Sequence, residues 1–568
     1  MKSCKYELNN NVLTLKSSAF SKSFDGVVAA EASEVTPNSR SLPYFEVIAT
    51  KADEKSVSYQ MWEDLPAVRI CGNEENELFK LCGEHWTLRA IKLNAFTDEC
   101  DILTDETLYE LFFKGLHKTI EGDIFIFENN LSGKAYLVIS ETPDHTRGQM
   151  FFHRSTPSDH FTVTLKNDGY PVVVAECKKG ECESLARAYF RHANYCPELV
   201  TMSNTWGDCN SANRVCYDFI EKEIEAAKEI GIDIVQIDDG WQAGNTLYVC
   251  KRDERGNRIF DEPFWDLNTE RFPNGIMPLS KLAEKYGIKI GMWFAPSSHD
   301  CFAKLERDKA ALRRCYEEYG ARFFKLDMYQ ASDKAHVEKM LELLREIYSF
   351  GDDVSVQMDV TRYERLNYLC GREYGTIFVE NRYTKYGISY PYKVLKNLWD
   401  ISKYQPSNRF QFELVNPDLC VDSYSEDDVF APSHFGMDYL FATVMMSNPL
   451  FWMEIQFLSK SRIAELAPIL NVWKDHRKLL AKADILPIGE RPDGRAMTGF
   501  YASVDGKPEY LLLFREVTDR DTAQIPVPVK CCNAEVLISN ADVCVKVENG
   551  FVKASFSKDK SYAFIKLT

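Results

Sequence analysis

Positive charge, long apolar runs, paired cysteine motifs and histidine are all in short supply in this 568-residue chain. Each shortage excludes something. Lys and Arg number 68 against 85 Asp and Glu, a formal net charge of −17. A nucleic-acid groove or an anionic membrane surface needs the opposite balance, so neither is an expected partner. No stretch reaches about 18 consecutive apolar residues, so no membrane-spanning helix is expected. The 17 cysteines are scattered and odd in number. Their nearest pairs, Cys177/Cys182 and Cys531/Cys532, form no CxxC with a matching second half. Mostly reduced, buried thiols are expected in place of a zinc site or a disulfide framework. The start, Met1-Lys2-Ser3-Cys4-Lys5-Tyr6-Glu7, has no apolar run behind its positive charges. A cytoplasmic location is expected, or a secreted or periplasmic one for a chain whose leader has been removed.

What the chain has is an ordinary globular balance, 45% hydrophobic and 27% charged, with 13% aromatic residues. That aromatic content suits β-rich cores and surfaces that stack on sugars. A neutral ligand fits the charge.

Three rhythms follow one another, and they divide the chain at 1–195, 196–486 and 487–568. The first is strands and turns: Val12–Lys16, Phe45–Ala49, Val57–Met61, Trp86–Lys92, Asp123–Phe127 and Phe161–Leu165 alternate or carry strand formers. Asn167-Asp168-Gly169 between two apolar runs reads as a hairpin turn, and the whole as a β-sandwich. The second alternates apolar runs with amphipathic helical patterns. The runs are Val200–Asn204, Ile232–Ile237, Ile288–Phe294, Arg322–Leu326, Val354–Met358, Thr376–Val379, Arg409–Leu414 and Pro449–Met453. Eight strands, most followed by a helix, with no G-x-G-x-x-G after the first, predict a (β/α)8 TIM barrel in an α/β protein. The third returns to short alternating strands and predicts a small C-terminal β-sandwich.

In such a barrel the active site forms at the C-terminal ends of the strands. Those ends carry Asn204-Thr205-Trp206, Asp238-Asp239-Gly240-Trp241, Trp293-Phe294-Ala295-Pro296, Lys325-Leu326-Asp327, Gln357-Met358-Asp359, Glu380-Asn381-Arg382, Glu413 and Glu454. Acids and aromatics dominate; histidine, cysteine and phosphate loops are missing. Only 10 histidines exist, none at these ends, so neither a metal hydrolase nor a His-activated nucleophile is expected. No metal or cofactor is called for. Opposed carboxylates between tryptophans are what glycoside cleavage needs: one acid protonates the leaving oxygen while the other attacks or stabilises the oxocarbenium-like centre.

At these residues the chain resembles the retaining α-galactosidases of glycoside hydrolase clan D, nearest to family 36, the melibiase type. The resemblance rests on Asp238-Asp239-Gly240-Trp241, on Phe272-Pro273-Asn274-Gly275 leading to Gly291-Met292-Trp293-Phe294-Ala295-Pro296, and on Phe324-Lys325-Leu326-Asp327. It implies that Asp327 is the catalytic nucleophile and that Asp238 and Asp239 grip the sugar's 4- and 6-hydroxyls. It also implies that Trp241 and Trp293 are walls of the site and that the protein is a homo-oligomer acting on an oligosaccharide or glycoside. Lys325, two residues before Asp327, shares its barrel face. Trp206, Asp359 and Arg362 complete the expected substrate-binding set.

Two departures bear on chemistry. The family places an Asp in a Trp-x-Ser-Asp context after strand six, where this chain has Phe378-Val379-Glu380-Asn381-Arg382. Glu380 is the nearest carboxylate and the expected general acid/base, provided the backbone retreats by about 1.5 Å. Asp359 and Glu413 are rivals, and Arg382 is a candidate ion-pair partner for Glu380. The family's Cys-x-x-Gly-Gly-Gly-x-Arg-x-Asp segment after strand five is replaced by Asp359-Val360-Thr361-Arg362-Tyr363-Glu364. The expected function is a retaining exo-α-glycosidase, foremost an α-galactosidase. An α-N-acetylgalactosaminidase, a transglycosidase and a catalytically degenerate carbohydrate-binding barrel remain alternatives.

Overall fold

A parallel sheet covered on both faces has no polar side, so its strands read as unbroken apolar runs; the eight runs of the central region meet this condition and close on themselves. Barrel strands one to eight are Met202–Asn204, Ile234–Ile237, Lys289–Phe294, Phe323–Leu326, Ser355–Asp359, Thr376–Phe378, Phe410–Leu414 and Asn448–Phe451. Strand eight pairs back onto strand one through Met202 and Leu450. The computed structural model describes residues 3–568 except 19, 38–40, 84, 95–102, 112–118, 144, 155–159, 194–197, 208–211, 245–250, 257–258, 261–262, 363 and 380–381. Every expected barrel strand is present. No helix among the described residues is long and apolar enough to cross a membrane.

The helices between strands form where the expected periodicity lies. Tyr217–Ile230 buries Ile220, Ile224 and Ala227 along one face and stops at Gly231, whose φ of 93° is a left-handed cap. Lys334–Tyr348 starts where the Asp333 side chain accepts from the His336 amide at 2.9 Å. Inside the barrel, residues two apart share a face. The inward series therefore runs Ile234-Gln236-Asp238, Phe323-Lys325-Asp327 and Ser355-Gln357-Asp359, and each ends in an acid at the upper mouth. Gly291 makes room in this series: a Cβ there would lie 2.2 Å from Gln236 Oε1.

Before the barrel, a nine-stranded antiparallel sheet from Val27–Val35 to Thr104–Glu110 faces a four-stranded one built on Glu75–Cys82 and His160–Lys166. Their shared core includes Val57, Leu88, Phe125, Val138 and Leu165. One expectation needs correcting. Asn167-Asp168-Gly169 is not a hairpin, because His160–Lys166 and Val172–Lys178 belong to different sheets. The turn itself is as expected, with Asp168 and Gly169 at φ 55° and 76° and the Tyr170 amide bonded to the Asn167 carbonyl. Turn chemistry is local, whereas the choice of partner sheet belongs to the whole core. After the barrel, five- and four-stranded antiparallel sheets pack on Leu511, Leu513, Val552, Ala563 and Ile565, beginning with Asp484–Gly489.

Buried ion pairs tie these parts together. Arg187, on the helix Cys182–Ala193, bonds Asp484 at 2.7 and 3.1 Å and the Lys403 carbonyl at 2.7 Å. Glu141 accepts from Arg69 of the nine-stranded sheet at 2.6 Å and from Tyr189, and forms an ion pair with Arg372 of the barrel at 3.2 Å. Burial alone would raise its carboxyl pKa, but Arg69 and Arg372 hold it below the usual range. Its contribution to stability is therefore present above the ordinary glutamate pKa of about 4.3 and is lost as pH falls through the lowered value. Glu141→Ala removes the carboxylate shared by two buried guanidinium groups, leaving Arg372 only its Glu373 contact at 3.5 Å, and should destabilise the protein by about 3–5 kcal/mol. Thermal unfolding at pH 7 measures this; an unchanged midpoint would remove the network from the stability argument.

Candidate active site

The barrel has two mouths. A cavity of about 440 Å³ lies at the lower mouth, between Asp233, Lys289, Ser355, Thr376 and Asn448. These residues sit at the N-terminal ends of the strands, where barrels carry stability, whereas chemistry sits at the C-terminal ends. The upper mouth holds the acids, and its interactions are of the kind that tune reactivity.

Asp327 follows strand four. Among the described strand-end acids its side chain is the most open, 18% exposed against 3% for Asp238 and Asp359 and 1% for Glu413 and Glu454. Its Oδ2 accepts from the Trp293 indole at 3.1 Å, and its Oδ1 from the Met328 amide at 2.5 Å. Met328 holds φ 55°, an uncommon value for a side chain of its size, and so stores strain beside the carboxylate. Both terminal nitrogens of Arg365 reach Oδ1, at 3.2 and 3.3 Å. Burial pushes the Asp327 pKa up, but Arg365, then Lys325, then the Trp293 and Met328 bonds outweigh it and hold the carboxyl below its usual range. Asp327 is thus an ionised carboxylate with an open side.

Lys325 lies one layer deeper. Its Nζ donates to Asp238 Oδ2 at 3.1 Å and sits over the rings of Trp452 and Phe378 at 4.9 and 5.2 Å. The expected support for Asp327 therefore comes through space, while the direct bond goes to Asp238. Burial lowers the Lys325 pKa, but Asp238, Asp327 and Asp359 more than reverse this. Asp238 Oδ2 also accepts from Asn204 at 2.9 Å, and Asp238 Oδ1 from the Asp239 amide at 2.9 Å. Asp239 is held by Gln242 at 2.5 Å.

The Asp-Asp-Gly-Trp turn has a steric cause. Gly240 has φ 124°, and a Cβ there would lie 2.5 Å from the Ala212 carbonyl oxygen. The turn leaves both acids at the mouth and swings Trp241 back into the core. Trp241 is fully buried, stacked on Trp265 at 5.8 Å, with its indole donating to the Trp293 carbonyl at 2.9 Å. It is a support behind Trp293 and not the expected wall. Trp293 is itself buried, and its polar edge meets the carboxylate. Trp206 donates to the Tyr383 hydroxyl at 3.2 Å.

On strand five, Asp359 is buried and accepts from the Thr361 amide and hydroxyl at 3.0 and 2.8 Å. Burial, then the charge on Asp327, push its pKa up to about 7; Arg365, Lys325 and the Thr361 amide offset this only in part. Arg365 stands between the two acids, 3.2 Å from Asp327 Oδ1 and 3.6 Å from Asp359 Oδ1, with Nη1 also on the Asp359 carbonyl at 2.9 Å. The paired carboxylates and their guanidinium form the electrostatic centre of the site. Sequence reasoning passed over Arg365, which follows the replaced segment directly in an irregular stretch where Glu364 and Asn367 hold φ 60° and 62°. Arg362, expected to bind substrate, is an exposed residue.

The remaining acids are engaged elsewhere. Glu413 accepts from the Arg382 amide at 3.0 Å and lies 3.9 Å from its guanidinium; Glu454 pairs with Arg214 at 2.5 Å. Glu380 lies outside the described residues.

An eight-stranded parallel barrel with acids and tryptophans converging at its upper mouth is the architecture on which glycoside hydrolases work. The family model described as Melibiase matches residues 185–311. Alpha-galactosidase AgaA of Geobacillus stearothermophilus is 30% identical over 116 residues, 20% of this chain and 13% of the relative. The matched stretch is thus a small part of that relative's length. In three dimensions the likeness is far longer. The family GH36 α-galactosidase AgaB of the same organism aligns with TM-score 0.67 at 11% identity, covering 100% of this chain and 88% of that one. A variant of AgaA solved in complex with raffinose aligns with TM-score 0.64 at 11% identity, covering 100% and 89%. Residues 185–311 are thus similar to melibiase, and the chain as a whole has the fold of the GH36 α-galactosidases.

Proposed function

We propose that the protein is a retaining exo-α-galactosidase that releases terminal galactose from oligosaccharides, with Asp327 as its nucleophile. The observation that carries this reading is the Asp327 carboxylate, kept ionised by Arg365 and Lys325 and oriented by Trp293, beside the Lys325–Asp238 pair. The raffinose complex of the AgaA variant and the stachyose complex of another support an oligosaccharide substrate.

Asp238 and Asp239 accept hydrogen bonds from hydroxyls of the galactose ring, and Trp293 fixes the carboxylate beneath the anomeric carbon. The general acid, Glu380, gives its proton to the glycosidic oxygen as the C1–O bond breaks. An Asp327 oxygen attacks C1 from the opposite face, forming a β-galactosyl ester. Glu380, now a carboxylate, takes a proton from water, whose oxygen attacks C1; the ester opens and galactose leaves with its configuration retained.

A second reading of the acid is favoured by one observation. Asp359, raised to about 7, keeps its proton through the weakly acidic range, next to the nucleophile. Glu380→Ala should slow raffinose far more than a nitrophenyl galactoside, whose leaving group needs no proton. Equal losses would reject Glu380, and the same leaving-group contrast in Asp359→Asn would transfer the role. Product analysis on raffinose with and without added acceptor separates hydrolysis from transglycosylation.

A further inference from the structure

A ladder of rings climbs from the acid cluster to the surface on the side of strands six and eight. Lys325 Nζ lies 4.9 Å from the Trp452 ring, Trp452 is 6.5 Å from Tyr383, and Tyr383 meets Tyr386 edge to face at 5.9 Å. The Tyr383 hydroxyl accepts from Trp206 at 3.2 Å, so the middle rung is fixed to strand one as well. The first rungs are enclosed, with Trp452 buried and Tyr383 half-buried. The last is open: Tyr386 is 62% exposed.

Exposed tyrosines are common, but this one stands on a rigid mount. It closes the short 3-10 turn Thr384–Tyr386, which ends at Gly387 with φ 64°. Gly387 is pressed against the chain after strand seven, where a Cβ would lie 2.3 Å from the Ser423 carbonyl oxygen. Ser423 donates back to the Lys385 carbonyl at 3.1 Å. Lys385 Nζ sits 5.1 Å from the Tyr386 ring centre and 5.8 Å from that of Tyr383. The ring is thus held in place before any ligand arrives, which lowers the ordering cost of a contact with it. Tyr386 lies in the segment that follows strand six, on the face of the barrel where the acids stand, and an exposed apolar ring face there suits the apolar face of a second sugar ring.

We propose that Tyr386 is the platform on which the leaving-group sugar of the substrate stacks. This deepens the α-galactosidase reading and rests on it. Galactose occupies the acid cluster, and the next ring lies outward along the ladder.

The test compares raffinose, whose leaving group is a sugar, with α-galactosyl fluoride, whose leaving group has no ring. Wild-type protein, Tyr386→Ala and Tyr386→Phe are assayed on both. In Tyr386→Ala the ratio of kcat/KM for raffinose to that for the fluoride should fall roughly three- to tenfold, mainly through KM, as expected for the loss of one ring contact. Tyr386→Phe should recover most of the ratio, since it keeps the ring. An unchanged ratio in Tyr386→Ala, or a wild type that cleaves the fluoride and ignores raffinose, overturns the platform. A wild type inactive on both substrates overturns the α-galactosidase reading instead. Because the ring is exposed, the alanine variant should fold; circular dichroism confirms this.

Discussion

Asp327→Asn should lower kcat/KM on raffinose and on aryl α-galactosides by roughly 10⁴-fold or more. The amide has nearly the shape of the carboxylate, and its single oxygen can still accept from the Trp293 indole or from the Met328 amide, which bond separate oxygens of Asp327 at 3.1 and 2.5 Å, but not from both. What disappears is the negative charge proposed to attack C1, which pairs with Arg365 and is supported through space by Lys325. Shortening to Asp327→Gly opens space, and added azide should then restore turnover of an activated galactoside and yield β-galactosyl azide, because the small anion attacks the face the carboxylate occupied. Wild-type rates in Asp327→Asn would show that another group is the nucleophile.

Arg365→Gln should be the next most damaging change, costing roughly 10²–10³-fold in kcat at neutral pH. The guanidinium touches Asp327 Oδ1 through both terminal nitrogens and is held from behind by the Asp359 carbonyl at 2.9 Å and by the Tyr329 ring at 5.0 Å. Its loss acts on the nucleophile's charge before it acts on binding. Asp327 is held low mainly by Arg365 and then by Lys325, so without Arg365 its pKa rises. The acid limb of the kcat/KM profile then moves to higher pH, and the loss is larger at pH 5 than at pH 7. A variant that only loosens the fold would lose activity equally across that range. An unmoved acid limb would therefore leave Arg365 a packing role alone.

The barrel was legible because its strands are buried on both faces and read as apolar runs, and because their inward alternation ends in acids that the fold must bring to one mouth. Asp238, Asp327 and Asp359 could be placed together on that ground. Trp241 could not be oriented, since a tryptophan after Gly240 reads the same whether it lines the mouth or turns into the core; the φ of 124° and the closeness of the Ala212 carbonyl decide it. Arg365 was invisible because it lies in a stretch with no period, shaped by left-handed residues at 364 and 367. Asn167-Asp168-Gly169 made the turn its residues dictate, yet its flanking strands went to separate sheets, because register and partner are set by the sandwich core.

The most direct test is to trap the covalent intermediate. The protein is incubated with a fluorinated galactosyl fluoride that forms the ester quickly and hydrolyses slowly, then digested at low pH and mapped by mass spectrometry. One equivalent of sugar on the peptide containing Asp327, absent from Asp327→Asn, is the expected result. Label on another carboxylate, or steady turnover of natural substrate with inversion and no adduct, would contradict it.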